Sequence, residues 1–288
     1  MKIKAYAKIN LLLDITGKRC NGYHDIATVM QTIDLYDTVY VDIVSKSGIE
    51  ITCTADNIPT DQTNIAYKAA YIMLNESKLQ CGVKIHIDKK IPSAAGLAGG
   101  SSDGAAVICA LNRLLGLNYK NEKLFMLSAA AGADIPYCII GSTALCEGIG
   151  EIITPLNSFD GRTVLIVKPP IDVSTKWVYN TYDETDESKI IHPDLQMFIQ
   201  TYQGNFKDAA KYTGNVLEYV TISKYPVISQ IKDKMYGFGA EFSMMSGSGP
   251  TVFGIYQNDT DAKCAFDFFK KSYNETYLTK TVKKENSY

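Results

Sequence analysis

Residues 92–106 read Pro92-Ser93-Ala94-Ala95-Gly96-Leu97-Ala98-Gly99-Gly100-Ser101-Ser102-Asp103-Gly104-Ala105-Ala106. They follow a strand-like run, Gly82 to Ile87, and precede a segment in which Ile108, Leu111 and Leu115 fall at i, i+3 and i+7 of an amphipathic helix. Gly96, Gly99 and Gly100 carry no Cβ and can take positive φ, so that successive backbone N–H groups can turn inward toward one anion. Ser101 and Ser102 are expected to open the helix, whose unpaired N–H groups and positive dipole end face the same point. The segment reads as a backbone cradle for a polyphosphate.

Rival readings of the same stretch are weaker. It fits neither G-x-G-x-x-G nor the G-x-x-x-x-G-K-[ST] of a P-loop. Gly100-Ser101-Ser102-Asp103-Gly104 does satisfy the G-x-S-x-G of a serine-hydrolase elbow, with His192 the one later histidine. An elbow serine sits at a sharp turn directly after a strand, however, and here Pro92 and a long run of small residues intervene. A Gly-rich loop that only connects two elements is the third reading.

The chain has 288 residues, 46% hydrophobic and 21% charged, enough for a sizeable core in one large or two modest domains. A net charge of -2 argues against nucleic acid or an anionic membrane as partner, so a phosphate site must be local. Seven scattered cysteines (Cys20, Cys53, Cys81, Cys109, Cys138, Cys146, Cys264) form no C-x-x-C pair and read as reduced thiols. No apolar run nears the ~18 residues of a membrane span. The start enters strand-like sequence without a signal-peptide pattern. The expectation is a cytoplasmic protein, monomeric or a weak homodimer.

Strands come first. Val39, Val41 and Ile43 alternate with Tyr40 and Asp42, and Asn21-Gly22 marks a hairpin turn between runs at Lys8–Ile15 and Ile26–Leu35. Asn64 is placed to cap a helix to about Leu74 with Ala66, Ala69, Ala70 and Met73 on its apolar face. A further helix is expected over about 122–131. Strands follow at 142–147 and 163–167, with a domain boundary near 155–160. Helices are then expected at about 194–203, 215–222 and 226–236, strands near 240–246 and 251–256, a helix from Asp261 and a last strand near 277–283. Mixed strands and helices without βαβ repetition favour an α+β pair of domains, 1–157 and 158–288.

Three further segments carry chemical residues. Lys8 and Asn10, two apart on an apolar strand, share one face, although a solvated strand face explains them equally well. Asp134 follows a helix end among apolar residues, where an acid is more often a turn or cap. Ser246-Gly247-Ser248-Gly249-Pro250 is a tight turn between strands that either only connects them or supplies further backbone donors.

Together these residues resemble the GHMP kinase superfamily, whose Pro-x-x-x-Gly-Leu-x-x-Gly-Ser-Ser loop is matched by Pro92–Ser102. Ala7-Lys8-Ile9-Asn10-Leu11, Gly22-Tyr23-His24, Gly132-Ala133-Asp134-Ile135-Pro136 and Val173-Ser174-Thr175 resemble the branch that acts on a cytidyl-linked alcohol. The resemblance implies a two-lobed α+β fold, with an ATP-binding N-terminal lobe and a smaller α/β-sandwich-like C-terminal lobe. It implies ATP with magnesium as cofactors and a small cytidyl substrate. Asp134 would accept the hydroxyl proton, and Lys8 would hold the acid and the transferred phosphoryl. Pro92 to Asp103 would bind ATP, with Asn64, Lys89 and Asp103 near the adenosine. Asn10 would bind the alcohol end, Tyr23 and Tyr179 would sandwich the cytosine, and His24 would read its polar edge, with Thr175 nearby. No protein metal ligand is expected. The chain departs from the resembled pattern at Asn21, where Asp is usual, at Ala98, where Gly is common, and at Cys138, where a second aromatic is frequent.

Overall fold

The computed structural model describes residues 1–204 and 206–284, so Asn205 and the last four residues of the expected 158–288 unit lie outside it. In chain order the first part contains β1 (Lys2–Lys18), β2 (His24–Val44), β3 (Gly48–Cys53), α1 (Ile65–Ser77), β4 (Gly82–Asp88), α2 (Gly99–Leu114), α3 (Asn121–Ala129), α4 (Ile135–Ile140), β5 (Thr143–Gly148) and β6 (Ile152–Pro155). The second part contains β7 (Thr163–Lys168), α5 (Thr175–Asp183), α6 (Leu195–Thr201), α7 (Phe206–Ala209), α8 (Leu217–Lys224), α9 (Val227–Gly237), β8 (Phe242–Met245), β9 (Val252–Tyr256), α10 (Asp259–Phe269) and β10 (Glu275–Lys280).

One sheet has the order β3-β4-β2-β5-β6, with β1 also on β2; the other has the order β10-β7-β9-β8. All pairs are antiparallel except β3 with β4. The hairpin at Asn21-Gly22 is present, but its strands are far longer than the apolar runs that announced them. Length follows from bending: register shifts lie between Tyr6 and Lys8 and between Asn10 and Leu12, and bulges let a long strand turn without ending. The expected alternation fails at Ile43, which is 37% exposed where β2 runs past the core.

Helix α1 forms as its sequence dictates. Asn64 accepts from the Ala66 N–H at 2.8 Å, and the buried face is Ala66, Ala69, Ala70 and Met73. Helix α2 departs from expectation, being buried on every side from Ser102 to Leu111 rather than amphipathic. Its Gly and Ala residues let α1, α4 and the first sheet approach from all directions, and close packing of small side chains leaves no solvent face. The last strand ends at Lys280, short of the expected 283.

One hydrophobic cluster lies wholly in the first half; a second is built mainly from the later part but takes in Leu13, Ile15 and Ile26, and a third joins the halves more broadly. Ile9, Leu11, Leu12, Val29 and Ile33 of the first sheet pack with Val164, Ile166, Phe198, Tyr202, Phe206, Phe242 and Phe253 of the second part. The backbone also crosses between the halves, through bridges Leu13 to Asn215 and Ile33 to Thr281. Burial of several large side chains at ~1.5–3 kcal/mol each fixes one half on the other. The cleft between them is therefore preformed.

Candidate active site

Two of the three register shifts in β1 flank Lys8 and Asn10, which are only 4% and 1% exposed. Burial removes the solvated-strand reading. An ammonium taken out of water needs compensating partners. Lys8 Nζ donates to Asn10 Oδ1 at 2.7 Å and to the Gly96 carbonyl at 3.0 Å, and stands 4.0 Å from Asp134 Oδ2. Asn10 Nδ2 in turn donates to Thr28 Oγ1 at 2.8 Å, which fixes its amide orientation. Asp134 occupies the N-cap position of α4 yet makes no side-chain capping bond. Its carboxylate is thus not spent on the local backbone and faces Lys8.

The phosphate loop is built differently from its expected form. Gly96 has φ +70°, and a Cβ there would lie 2.1 Å from the Ser246 carbonyl oxygen, so only glycine fits. Gly99 and Gly100 do not take positive φ; they are the first two residues of α2, which opens two residues earlier than its serines suggested. The left-handed positions are instead Ala94 (φ 48°) and Ala98 (φ 57°), each costing an L-residue about 1–2 kcal/mol. Strain of this size persists at sites where the surroundings hold it.

Ala98 is also the N-cap of α2 and offers no side-chain acceptor to the helix start. A good cap is worth about 1 kcal/mol. The Ser102 N–H already bonds the Ala98 carbonyl at 2.9 Å, so the donors ahead of it, at Gly99, Gly100 and Ser101, have no earlier turn to pair with. Ser102 itself is turned away from the cleft, 2% exposed, its hydroxyl donating to the Tyr6 carbonyl and contacting Cys138 Sγ. His192 lies between Asp14 (2.7 Å) and Glu187 (2.9 Å). Ser102 and His192 therefore do not pair, and the hydrolase reading fails.

Beside the loop, Lys89 Nζ bridges Asp37 Oδ2 at 2.5 Å and Asp103 Oδ2 at 2.8 Å, all three side chains buried. Asp37 also accepts from the N–H groups of Lys90 and Ile91. One ammonium between two carboxylates leaves a net negative charge, and Asp103 Oδ1 has no hydrogen-bond partner. Burial, reinforced by the Asp37 charge and only partly offset by Lys89, pushes the Asp103 carboxyl up to about 7. Burial would lower the Lys89 ammonium, but the two carboxylates outweigh it and raise it. Asn64 is held by the α1 cap and by donation to the Pro59 carbonyl at 2.6 Å. Lys89, Asp103 and Asn64 all border the cleft while their polar ends serve the fold.

At the opposite end, Tyr23 is 59% exposed at the hairpin turn, and His24 behind it is buried. The Tyr179 ring of α5 lies 5.0 Å from the His24 ring, tilted by 35°. Thr175, at the start of α5, hydrogen-bonds Ser248 through its hydroxyl at 2.8 Å. Ser246 Oγ donates to the Gly96 carbonyl at 2.9 Å, so the 246–250 turn seats the phosphate loop.

One cleft of about 1090 Å³ collects these groups: Lys8, Asn10, Tyr23, His24, Asn64, Lys89, the loop from Pro92 to Ser101, Asp103, Asp134, Thr175 and Tyr179. Of the residues expected to act in catalysis or to bind ATP or the cytidyl substrate, Ser102 alone is not part of its wall. Its volume is at the top of the ~300–1,000 Å³ range of small-molecule sites. Sequence reasoning missed Asp37, whose spacing from Lys89 carries no signal, and Ile58, Pro59, Thr63 and Ile65, which line the cleft beside the loop.

Residues 64–142 match the GHMP kinases N terminal domain and residues 197–275 the GHMP kinases C terminal domain. The 4-diphosphocytidyl-2-C-methyl-D-erythritol kinase of Clostridium acetobutylicum is 47% identical over 98% of this chain and 100% of its own length. That of Caldicellulosiruptor saccharolyticus is 47% identical over 99% of this chain and 98% of its own. A crystal structure of 4-(cytidine 5'-diphospho)-2C-methyl-D-erythritol kinase superposes with a TM-score of 0.83 at 28% identity, covering 98% of this chain and 99% of the other. A buried lysine facing an acid, an uncapped helix behind a glycine loop and these matches across nearly the whole length lead to one assignment: the chain belongs to the GHMP kinases, in the family of the 4-diphosphocytidyl-2-C-methyl-D-erythritol kinases.

Proposed function

We propose that this protein transfers the γ-phosphoryl group of ATP to the 2-hydroxyl of 4-diphosphocytidyl-2-C-methyl-D-erythritol, in the non-mevalonate route to isoprenoid precursors. The observation that carries the reading is the Lys8–Asp134 pair, 4.0 Å apart, set in the same cleft as the uncapped start of α2. Phosphoryl transfer is chiefly positioning and charge stabilisation, and this set supplies both. The triphosphate lies along the 92–103 loop and accepts from the N–H groups at the helix start. Asp134 takes the proton of the attacking hydroxyl. Lys8 faces that carboxylate and offsets charge on the phosphoryl in flight. Asn10, fixed by Thr28, orients the alcohol.

Magnesium neutralises the β- and γ-phosphate oxygens of ATP in such reactions. Among the described residues no group of three or more His, Cys, Asp or Glu side chains is placed to hold a metal ion. Tyr23 and Tyr179 flank the cytosine, with His24 at its polar edge and Thr175 beside it; Asn64, Lys89 and Asp103 border the adenosine end. A lobe division at 157/158 falls between the last strand of the first sheet and the first of the second. Placement in the cytoplasm is supported by cysteines that are all unpaired. No described helix is long and apolar enough to cross a membrane. The test is ADP release from ATP and magnesium that depends on the cytidyl substrate and collapses in Asp134→Asn.

A further inference from the structure

The base end of the cleft holds a contact between the two halves that phosphoryl transfer does not use. His24 Nε2 lies 2.6 Å from Oδ1 of Asp183, the last residue of α5, and Lys18 Nζ lies 2.7 Å from the other oxygen. Asp183 follows Tyr179 by four residues, so α5 presents a ring and a carboxylate on one face, both against the same imidazole. Burial would raise the Asp183 carboxyl, but the bonds from Lys18 and His24 outweigh this and hold it below its ordinary range. An ionised carboxylate only accepts, so Nε2 carries the proton of the pair. In the neutral ring Nδ1 is then an acceptor.

We propose that Asp183 is a specificity-determining positioning residue: by keeping the proton on His24 Nε2, it makes Nδ1 an acceptor that suits the exocyclic amine of cytosine and opposes the carbonyl that replaces it in uracil. The inference rests on the reading that His24 faces the base. An amine facing Nδ1 forms a hydrogen bond. A uracil carbonyl sets two acceptors against each other and leaves both unpaired in a partly dry site, which is the costly case. Without Asp183 the neutral ring is free to exchange tautomers, and Nδ1–H then donates to uracil. Loss of Asp183 therefore erodes discrimination rather than binding in general. Lys18 bonds the far oxygen of the carboxylate and leaves this logic intact when removed.

The experiment compares kcat/KM for the cytidyl substrate and its uridyl analogue in the wild type, Asp183→Ala, Lys18→Met, His24→Ala and the Asp183→Ala/His24→Ala double variant. The expected result is a cytidyl preference that falls about tenfold or more in Asp183→Ala, holds within twofold in Lys18→Met, and falls no further in the double variant than in His24→Ala. The KM for ATP stays unchanged. If Asp183→Ala lowers both substrates equally while His24→Ala relaxes the preference, the positioning role is overturned. If His24→Ala also leaves the preference intact, His24 does not read the base, and that reading falls with the proposal built on it. The tautomer is read directly in the wild type from the ring ¹⁵N resonances of His24: a protonated Nε2 and bare Nδ1 are expected, and a protonated Nδ1 beside a bare Nε2 contradicts the proposal without any variant.

Discussion

The two ends of the cleft are made of different material. The end proposed for the phosphates is one continuous segment, residues 92–103, and what it offers is backbone: a position only glycine can fill, two strained alanines and a helix start without a cap. The end proposed for the base is made of side chains from distant parts of the chain, Tyr23 and His24 from the β1–β2 hairpin with Tyr179 and Asp183 from α5. A polyphosphate presents a diffuse negative charge that any ring of N–H groups satisfies. A base must be told from its near relatives, which takes placed donors and acceptors. The proposed catalytic pair sits between these two ends, where Lys8 touches the Gly96 carbonyl and faces Asp134.

The largest effect is expected at that junction. Asp134→Asn should lower turnover by ~10²-fold or more while both substrates still bind within several-fold of normal, as removal of a general base does. Steady-state kinetics with a separate binding measurement checks it, and near-normal turnover would remove Asp134 from the mechanism. Lys8→Ala should lose rate to a similar extent and also weaken the cytidyl substrate, since the carboxylate would lose the cation it faces.

Next comes the backbone end. Gly96→Ala forces an L-residue to φ +70° and sets its Cβ 2.1 Å from the Ser246 carbonyl, so the loop must leave its seat. The ATP KM should rise about tenfold or more, from the ~1–2 kcal/mol cost of the left-handed backbone plus the clash, with the cytidyl KM little changed. Unaltered ATP kinetics in a folded variant would make the loop a mere connector. Gly99, helical and not at positive φ, is the less decisive position.

At the base end the effects should be smaller and confined to one substrate. Tyr179→Ala should weaken the cytidyl substrate by about 1–3 kcal/mol, by analogy with base stacking, and leave ATP affinity alone. Tyr179→Phe should be nearly silent, because stacking uses the ring and not the hydroxyl. Equal weakening by both variants would show that the hydroxyl, not the face, makes the contact.

The smallest effect concerns the charge cluster beside the loop. Burial pushes the Asp103 carboxyl from its ordinary 3.8 up to about 7. The native state thus holds an extra proton between those limits, and the stability this confers is full below about pH 4 and lost as pH rises through about 7. Asp103→Asn removes that dependence. The difference in Tm between variant and wild type should therefore shift in the variant's favour from pH 5 to pH 8. A difference independent of pH would show that Asp103 is not the titrating member.

This contrast also explains what could be read in advance. The loop, the Asn64 cap and the apolar face of α1 are local patterns, and local patterns survive in sequence. Lys8, Asn10 and Asp134 were visible as residues, but only packing shows that the first two are buried and that the third escapes its capping role. The full burial of α2 was hidden because small residues give no periodic signal when every side is packed. The third core was hidden because apolar residues of β1 do not say which half they face. Asp37 and Asp183 acquire their partners only through contacts 52 and 159 residues away, and nothing in their neighbours marks them.

The central claim is the identity of the acceptor, and one competition tests it most directly. The protein is given ATP and magnesium with 4-diphosphocytidyl-2-C-methyl-D-erythritol, mevalonate and homoserine together, and the phosphorylated product is identified by ³¹P resonance and mass. The account predicts one phosphate, on the 2-hydroxyl of the cytidyl compound, formed in step with ADP. Phosphorylation of mevalonate or homoserine in preference to it would contradict the account, leaving the kinase machinery in place but assigning the base end of the cleft to another purpose.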